Sequence, residues 1–419
     1  MKTIVLIGGG GREHAIALQL RKSAKESKLV VMPGNAGIAM IPNTECLQIP
    51  ATDIPAIVSK CKELKPDLVF VAPDDPLSLG LVDRLTEMDI RTFGPTQAAS
   101  EVEWSKAFSK DFMSRHNIPT AAFRVFSDYN DAVKYVHGQE FPLVLKASGL
   151  ALGKGVIIAN NREDALSSLE EMMVEKKFGS ASDNVVIEEF LTGTEVTLLV
   201  FTDGVNYSLM PTSQDHKRAF DGDLGPNTGG MGAFSPATAW SKSVESEVIK
   251  SIVEPTIKGL HQEGRKFKGV LYFGLMVGEK GTKVIEYNAR FGDPETQTIL
   301  PLLKTNFIQI VDACIDGTLD KLNIEWQDMA ALCVVIAARE YPATVTKGHT
   351  IEINALHDDI QLIHCATLQT DTGLVTNGGR VFNVTAIADT IQNARQLVYA
   401  EIDKVKFAGA RYRSDIGAR

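Results

Sequence analysis

The chain of 419 residues is poor in cysteine and has no pair of cysteines at C-x-x-C spacing. Its cysteines are scattered, which favours reduced thiols in a cytoplasmic protein over a disulfide framework or a zinc site: Cys46, Cys61, Cys314, Cys333 and Cys365. The first apolar stretch is too short for a signal peptide or a membrane span. An excess of positive charge is also missing. With 43 basic and 52 acidic residues, the net charge of −9 argues against broad binding to nucleic acid or to an anionic membrane.

What is present is an ordinary globular composition, 44% hydrophobic and 23% charged, in a chain too long for a single core. Residues 1–103 alternate apolar strands with helical patterns, which predicts a parallel α/β domain. Residues 104–325 read as a central, strand-rich α+β domain, and residues 326–419 as a small C-terminal α+β domain. Parallel sheets bind ligands beyond the carboxyl ends of their strands, where this chain has Gly- or Pro-containing loops.

The segment Val284–Gln297 begins as an apolar strand and ends as a polar loop. Glu286 and Asn288 are two residues apart, so their side chains face the same side of an extended strand. Together they offer two hard oxygen donors suited to Mg²⁺, and Arg290 follows in phase with a guanidinium that suits phosphate. A half-buried strand with polar residues on its wet side stays open as an alternative.

Gly8–Arg12 follows a strand and opens a helix, an arrangement in which backbone N–H groups can approach an anion. It is not a dinucleotide fingerprint, because Glu13 and His14 stand where a third glycine is needed. The stretch therefore predicts a loop for phosphate or a polar substrate, with a ligand-free tight turn as the alternative. His14 is expected to be structural.

Lys146–Val156 is a second glycine-rich segment that fails as a Walker A loop, because only three residues separate Gly149 from Gly153. It predicts a hairpin in which Lys146 ends one strand and Val156 starts the next. A mobile glycine flap of this kind excludes water from bound ATP. The alternative is a surface hairpin with a solvated lysine.

Two more segments have binding character. Val185–Leu191 is a strand turning into a connector, where Phe190 and Leu191 offer an apolar slot for adenine and Glu195 an acceptor for ribose. A core strand with an exposed acidic end explains the same residues. Ser213–Ser235 reads as a long polar loop, which favours binding of a small substrate over a linker role.

Taken in order, these segments resemble the phosphoribosylamine–glycine ligase family of the ATP-grasp superfamily from end to end. Three runs are more specific to that family than the others, the two loops within 213–232 and Phe291–Gln297. The shared motifs include Gly10-Gly11-Arg12-Glu13-His14-Ala15, Pro33-Gly34-Asn35-Ala36-Gly37, Ser105-Lys106-Ala107-Phe108, Gly153-Lys154-Gly155-Val156, Ser213-Gln214-Asp215-His216-Lys217-Arg218, Gly225-Pro226-Asn227-Thr228-Gly229-Gly230-Met231-Gly232 and Thr376-Asn377-Gly378-Gly379-Arg380-Val381.

The resemblance implies an ATP-grasp central domain whose mobile lid covers about 120–190, and it implies a set of site residues. The expected ATP ligands are Lys106, Lys146, Gly153, Gly155, Glu188, Phe190, Leu191 and Glu195, and the expected ligands of Mg²⁺ (or Mn²⁺) are Glu286 and Asn288. The residues expected at the other substrates are Gly10, Arg12, Asn35, Asp74, Asp215, Lys217, Thr228, Gly229, Asp293 and Arg380, and those expected in catalysis are Lys146, Arg290 and Asp293.

The implied reaction activates glycine with ATP as glycyl phosphate, which the amine of 5-phosphoribosylamine attacks to give glycinamide ribonucleotide, ADP and phosphate in purine synthesis. A cytoplasmic monomer with transient contacts to other purine-pathway enzymes is expected, without nucleic acid or membrane partners. The chain departs from the family at Trp104, Ser148 and Asp74. Another ATP-grasp carboxylate–amine ligase and a non-catalytic nucleotide-binding regulator are the competing hypotheses.

Overall fold

The structure is a computed structural model that describes residues 1–150 and 155–418. In the N-terminal part, apolar runs form strands whose Val, Ile and Leu side chains are buried, and helices lie between them. The elements are β1 (Thr3–Gly8), α1 (Gly11–Ser23), β2 (Lys28–Pro33), α2 (Ala36–Ala39), β3 (Thr44–Cys46), α3 (Ile54–Leu64), β4 (Leu68–Val71), α4 (Asp74–Ser78), α5 (Leu81–Thr86), β5 (Thr92–Phe93) and α6 (Gln97–Trp104).

These strands form the predicted parallel sheet, in the order β3-β2-β1-β4-β5. Both faces of the sheet are covered, because alternate residues of β1 enter two different apolar clusters: Val5 and Ile7 lie in one, Ile4 and Leu6 in the other. Because β1, β2 and β4 run parallel, the loops that follow them lie at the same edge of the sheet.

The predicted lid region is a compact unit that packs around its own apolar core. Its antiparallel sheet has the order β6-β9-β7-β8, and its core includes Ala132, Leu145, Leu169 and Ile187. The pairing of Lys146 with Val156 confirms the predicted hairpin. The elements, after α7 (Lys106–Arg115), are β6 (Phe123–Phe126), α8 (Tyr129–His137), β7 (Leu143–Ala147), β8 (Val156–Ala159), α9 (Arg162–Leu169) and β9 (Val185–Glu189).

The central region contributes an antiparallel sheet in the order β11-β10-β16-β17. It shares the clusters of the N-terminal sheet: Leu198 and Val200 of β10 join Val5, whereas Leu199 and Phe201 join Leu6. The elements are β10 (Thr194–Thr202), β11 (Tyr207–Leu209), β12 (Gln214–Asp215), β13 (Arg218–Phe220), β14 (Leu224–Asn227), β15 (Gly232–Ser235), α10 (Lys242–Val248), α11 (Glu254–Gln262), β16 (Gly269–Gly278), β17 (Gly281–Asn288), α12 (Glu295–Ile299) and α13 (Phe307–Asp316).

The C-terminal region forms an antiparallel sheet whose apolar cluster includes Leu332, Phe382 and Val398, together with Phe234 of β15. Its sheet has the order β12-β15-β18-β23-β20, and β25 also pairs with β18. The elements are β18 (Ala330–Ala338), β19 (Glu352–Ile353), β20 (Ile360–His364), β21 (Thr367–Thr370), β22 (Gly373–Thr376), β23 (Arg380–Ala388), α14 (Ile391–Glu401), β24 (Val405–Lys406) and β25 (Ala410–Arg411).

One element prediction was wrong: Ser213–Ser235 is not a loop without regular structure. It contains β12, the hairpin of β13 and β14, and β15, which joins the C-terminal sheet. Buried Ala219, Met231 and Phe234 anchor these strands, which are too short to show a period in the sequence.

Two helical stretches contain a π turn. α9 continues after Leu169 into the π turn Glu170–Val174, and the π turn Ile249–Val253 lies between α10 and α11. The five cysteines, all within the described residues, are free thiols as predicted. Within 1–150 and 155–418, each helix is too short or too polar to cross a membrane.

Candidate functional site

A cavity of about 450 Å³ is lined by residues of the lid, the central sheet, the N-terminal sheet edge and the C-terminal region. It brings together most of the predicted site. The predicted residues in its lining are Arg12, Asp74, Lys106, Lys146, Gly155, Glu188, Phe190, Leu191, Glu195, Asp215, Lys217, Thr228, Gly229, Glu286, Asn288, Arg290, Asp293 and Arg380.

Three predicted residues are not in this lining. Gly153 lies outside the described residues. Gly10 is the N-cap of α1, and its N–H donates to Glu13 Oε2 at 2.6 Å. Asn35 caps α2, since its Oδ1 accepts from Ile38 N at 3.0 Å and its Nδ2 donates to the carbonyls of Gly9 and His364. Both residues thus have structural hydrogen bonds that account for their positions.

An apolar face of the cavity comes from the hairpin of β7 and β8. Val144 and Lys146 point the same way, and their cross-strand partners are Ile158 and Val156. With Phe190 these side chains form an apolar slot beside a lysine. The sequence reading had singled out Phe190 and Leu191 but missed the valines and Ile158, because apolar strand residues carry no signal beyond burial.

Lys146 is held by a buried carboxylate. Its Nζ lies 2.9 Å from Glu188 Oε2 and donates to Ile285 O at 3.2 Å, while Glu188 Oε1 lies 3.2 Å from Lys110 Nζ. Burial lowers the pKa of Lys110 to about 8, against the opposing attraction of Glu188. The Glu188 side chain, predicted to contact adenine, is therefore engaged with two lysines.

Lys110 was missed by the sequence reading, although a signal exists. Lys106 and Lys110 are four residues apart on α7 and therefore share a helix face. Lys106 Nζ donates to Gly149 O at 3.1 Å, and its backbone N–H donates to Ser148 O. Burial lowers the pKa of Lys106, with Glu286 acting in the opposite direction. The base of the glycine flap is thus tied to α7.

The proposed metal ligands lie at the end of β17. An irregularity of register between Gly274 and Leu275 of β16 leaves Ile285 as the extra residue, and Glu286 and Asn288 follow it with their side chains in the cavity lining. Burial opposes ionisation of Glu286, but Lys217 and Lys146 outweigh it and lower its pKa. An ionised carboxylate beside an amide oxygen is a donor set that fits a hard divalent cation.

Arg290 is fixed by a carboxylate that the sequence reading did not identify. Its Nη2 lies 2.8 Å from Glu103 Oε1 and donates to Asn288 Oδ1 at 3.1 Å. Glu103, at the end of α6, also accepts from Ala289 N, and burial raises its pKa to about 7 in spite of Arg290. Arg290 thereby orients Asn288. The Nε of Arg290 is buried and has no hydrogen-bond partner among the described residues.

Asp293 lies where three parts of the chain meet. Its carboxylate accepts from Arg12 N at 3.2 Å and from Gln297 Nε2 at 2.9 Å, and Arg380 Nη1 is 3.3 Å away. Burial alone would raise its pKa, but Arg380 and Arg12 hold it below the ordinary range. Arg380 also donates to Gly229 O at 2.6 Å. It therefore links the C-terminal sheet to the segment 213–235, which the sequence predicts to bind a small substrate.

Asp74, at the start of α4, lines the same cavity. Burial opposes its ionisation, but the cations of Arg290 and Arg12 dominate and lower its pKa. Asp74 is therefore an anion within a basic part of the lining.

Asp215 and Lys217 form the remaining polar group. Burial raises the pKa of Asp215 to about 7, with Lys217 opposing and Glu295 adding to the rise. Lys217 Nζ lies 3.0 Å from Glu195 Oε2 and 4.0 Å from Glu286 Oε1. Although burial acts against the charge, Asp215 and Glu195 raise the pKa of Lys217. Glu295 accepts from Tyr272 Oη at 2.9 Å, and the sequence reading assigned neither residue.

Comparison with known families matches the chain along nearly its whole length. Residues 2–103 match the phosphoribosylglycinamide synthetase N domain, residues 104–296 the ATP-grasp (A) domain, and residues 331–419 the C domain of the same family. A phosphoribosylamine–glycine ligase of Halalkalibacterium halodurans is 45% identical over 99% of this chain and 96% of its own length. One of Vibrio vulnificus is 43% identical over 99% of this chain and 98% of its own.

A solved structure agrees with these matches. The phosphoribosylamine–glycine ligase of Thermotoga maritima superposes with a TM-score of 0.86 at 32% identity, covering 99% of this chain and 100% of its own. The biotin carboxylase of Campylobacter jejuni, at 15% identity and a TM-score of 0.73, covers 100% of this chain and 98% of its own, and shares the fold.

Proposed function

The chain belongs to the phosphoribosylglycinamide synthetase family of ATP-grasp ligases, and we propose that it joins glycine to 5-phosphoribosylamine at the expense of ATP. The observation that carries the proposal is one cavity whose lining combines two buried lysines, an oxygen-donor pair on β17 and the Asp215–Lys217 group. The products are glycinamide ribonucleotide, ADP and phosphate, as required for purine synthesis.

The reaction needs the poorly electrophilic carboxylate of glycine to gain a leaving group. A glycine carboxylate oxygen attacks the γ-phosphorus of ATP, the bond to the β-phosphate oxygen breaks, and glycyl phosphate and ADP form. The amine of phosphoribosylamine then attacks the acyl carbon, phosphate leaves, and the amine loses a proton. Lys106 and Lys146 stabilise charge on the transferred phosphoryl group, and Arg290 holds the acyl phosphate.

Members of this ligase family use ATP with a divalent metal ion, and we propose Mg²⁺ at Glu286 and Asn288, with Mn²⁺ as a substitute. When bound, the ion would supply positive charge at the phosphate oxygens. The donor set supports this assignment, because the lysines around Glu286 hold its carboxylate ionised and Arg290 orients the amide of Asn288.

The apolar slot of Val144, Ile158 and Phe190 suits an adenine ring, and Glu195 suits the ribose hydroxyls. The lid has its own core, so we propose that it closes as a unit over the nucleotide and keeps water from glycyl phosphate. A cytoplasmic location, a monomeric state and transient contacts with other enzymes of purine synthesis belong to the same proposal.

A coupled assay tests the function. ADP release should require glycine and phosphoribosylamine together, and Lys146→Met should abolish it while the thermal unfolding curve stays cooperative. Release with another amino acid in place of glycine would support the competing hypothesis of a different ATP-grasp ligase. The absence of release under all conditions would support a nucleotide-binding regulator.

A further inference from the structure

The segment 410–416, called here the tail segment, contains a charged side chain that is almost fully buried. The segment follows β24, and β25 at its start pairs with β18. Arg413 is only 1% exposed. Guanidinium groups are buried at this level only when they are paired, so the partners of Arg413 indicate what the tail segment holds.

Those partners lie on the β13–β14 hairpin, Arg218–Asn227, about 190 residues earlier in the chain. Arg413 Nη1 donates to Arg218 O at 3.0 Å, and Nη2 lies 2.9 Å from Asp223 Oδ1. Asp415 completes the arrangement, accepting from Arg413 Nε at 2.7 Å. The guanidinium thus ties the base of the hairpin to its tip.

Two more contacts run along the same hairpin. Arg411 Nη1 donates to Ala219 O at 2.7 Å, and its guanidinium carbon lies 5.0 Å from the centre of the Phe220 ring. Ser414 N donates to Asp221 Oδ1 at 2.9 Å. The tail segment therefore holds the first strand and the turn of the hairpin, residues 218–223.

The two ends of the hairpin are residues of the candidate site. Lys217 precedes it and Thr228 follows it, and both the N–H and the Oγ1 of Thr228 donate to Lys217 O at 2.8 Å. Gly229 N donates to Tyr341 Oη at 2.8 Å, and Arg411 Nη2 donates to Tyr341 O. Both ends line the cavity, so a shift of the hairpin moves the Lys217 side chain and the Thr228–Gly229 backbone together.

We propose that Arg411 and Arg413 are positioning residues of the ligase, which hold Lys217, Thr228 and Gly229 in register for the two substrates other than ATP. The inference rests on the proposed function. The nucleotide end of the cavity is built from the lid, α7, β17 and Glu195 of β10. Among the described residues, the contacts given for Arg411 and Arg413 go to none of these. Loosening the hairpin should therefore weaken binding of glycine and phosphoribosylamine selectively.

The test compares KM values in two variants with a matched control. Arg411→Met keeps the aliphatic stem and removes the donors to Ala219 O and Tyr341 O, while Asp221→Ala removes the acceptor of Ser414 without leaving a buried charge. Tyr412→Phe is the control, because Tyr412 Oη donates to Asp403 in the C-terminal region and not to the hairpin.

We expect KM for glycine or phosphoribosylamine to rise roughly tenfold in both variants, about the effect of one charge-assisted hydrogen bond. KM for ATP should stay within about twofold, since Glu195 is the one described residue among the proposed ATP ligands that is linked to the hairpin, through Lys217.

Hydrogen exchange of the hairpin amides separates the outcomes. Faster exchange in Arg411→Met with all KM values unchanged would make the tail segment merely structural and overturn the proposal, as would an equal rise in every KM. Failure of the proposed function appears differently, as absent turnover in the unsubstituted chain. Unchanged exchange in Arg411→Met and Asp221→Ala would overturn the positioning role with or without turnover.

Discussion

At the scale of single residues, the site depends on buried charges that hold one another. Glu188 is shared between Lys110 and Lys146, and Arg290 is shared between Glu103 and Asn288. Lys146 and Asn288 are thus oriented by Glu188 and Arg290. The second partners of these two residues, Lys110 and Glu103, were not revealed by the sequence alone. Orientation by fixed partners reduces the rearrangement required when substrates bind.

Asn288→Ala tests the metal pair. Loss of one oxygen donor should raise the Mg²⁺ concentration for half-maximal ADP release by at least about tenfold and lower turnover. Asn393→Ala, at an exposed asparagine of α14, is the control and should leave the Mg²⁺ dependence unchanged. The same Mg²⁺ dependence in Asn288→Ala as in the parent would remove this residue from the metal site.

Lys110→Met tests the buried ion pairs. Glu188 keeps Lys146 but loses its second cation in a site where both side chains are at most 4% exposed, so a loss of about 3 kcal/mol in unfolding free energy is expected. Urea denaturation measures it. Lys134→Met removes an ion pair on the surface of α8 and should cause no measurable change. Equal effects of the two substitutions would contradict the role of burial.

At the scale of elements, the bounds of β7 and β8 were predicted to within a residue, because two short apolar runs flank a glycine-rich stretch there. The strands within 213–235 were not, since they are too short to show a period and β15 is completed by β18, about a hundred residues later. Glu103 was missed for a related reason: its partners, Ala289 and Arg290, follow β17, and no local pattern records a contact between distant segments. Lys110 contacts Glu188 of β9, and its spacing from Lys106 predicts a shared helix face but not that contact. The glycine, lysine and acidic motifs were visible because they concentrate chemistry within a few residues.

The separate core of the lid predicts a local effect. Leu169→Ala, at a fully buried position of α9, should destabilise the lid by about 2–5 kcal/mol. Amide exchange should accelerate over residues 123–189 and stay constant in the N-terminal sheet, whose clusters contain no lid residue among those described. Val174→Ala, at a position that is 56% exposed, is the control. Acceleration throughout the molecule would show that the lid is not an independent unit.

At the scale of the whole molecule, the N-terminal and C-terminal regions meet at two buried histidines. His364 N donates to His14 Nδ1 at 2.9 Å, and His364 Nδ1 is 3.0 Å from Thr367 Oγ1. Burial, together with repulsion from His364, lowers the pKa of His14 to about 3, and burial lowers that of His364 to about 4. His14 is structural here, in agreement with the sequence reading.

These lowered pKa values determine a pH dependence of stability. Below about pH 6.5 the unfolded chain takes up protons that the folded chain excludes, so stability present above that pH is lost on acidification towards pH 4. His14→Asn keeps an acceptor for His364 N and removes one titrating group. Between pH 6 and 4 the unfolding free energy of His14→Asn should fall less steeply than that of the parent chain. The two slopes should differ by about 1.4 kcal/mol per pH unit, the contribution of one proton.

Urea unfolding at several pH values measures this slope, and His137→Asn, at an exposed histidine of α8, is the control. A slope in His14→Asn that equals that of the parent would mean that His14 does not carry the linkage.

The shared clusters of β1 and β10 have a consequence for how such a chain changes over evolutionary time. A segment whose apolar residues pack against a distant segment cannot be exchanged between proteins without exposing apolar surface on both, so we expect the N-terminal and central sheets to be inherited together. The lid completes its own core and escapes this constraint. We therefore expect substitutions that change nucleotide binding to accumulate in the lid, while the N-terminal and central sheets on the other side of the cavity can change only together.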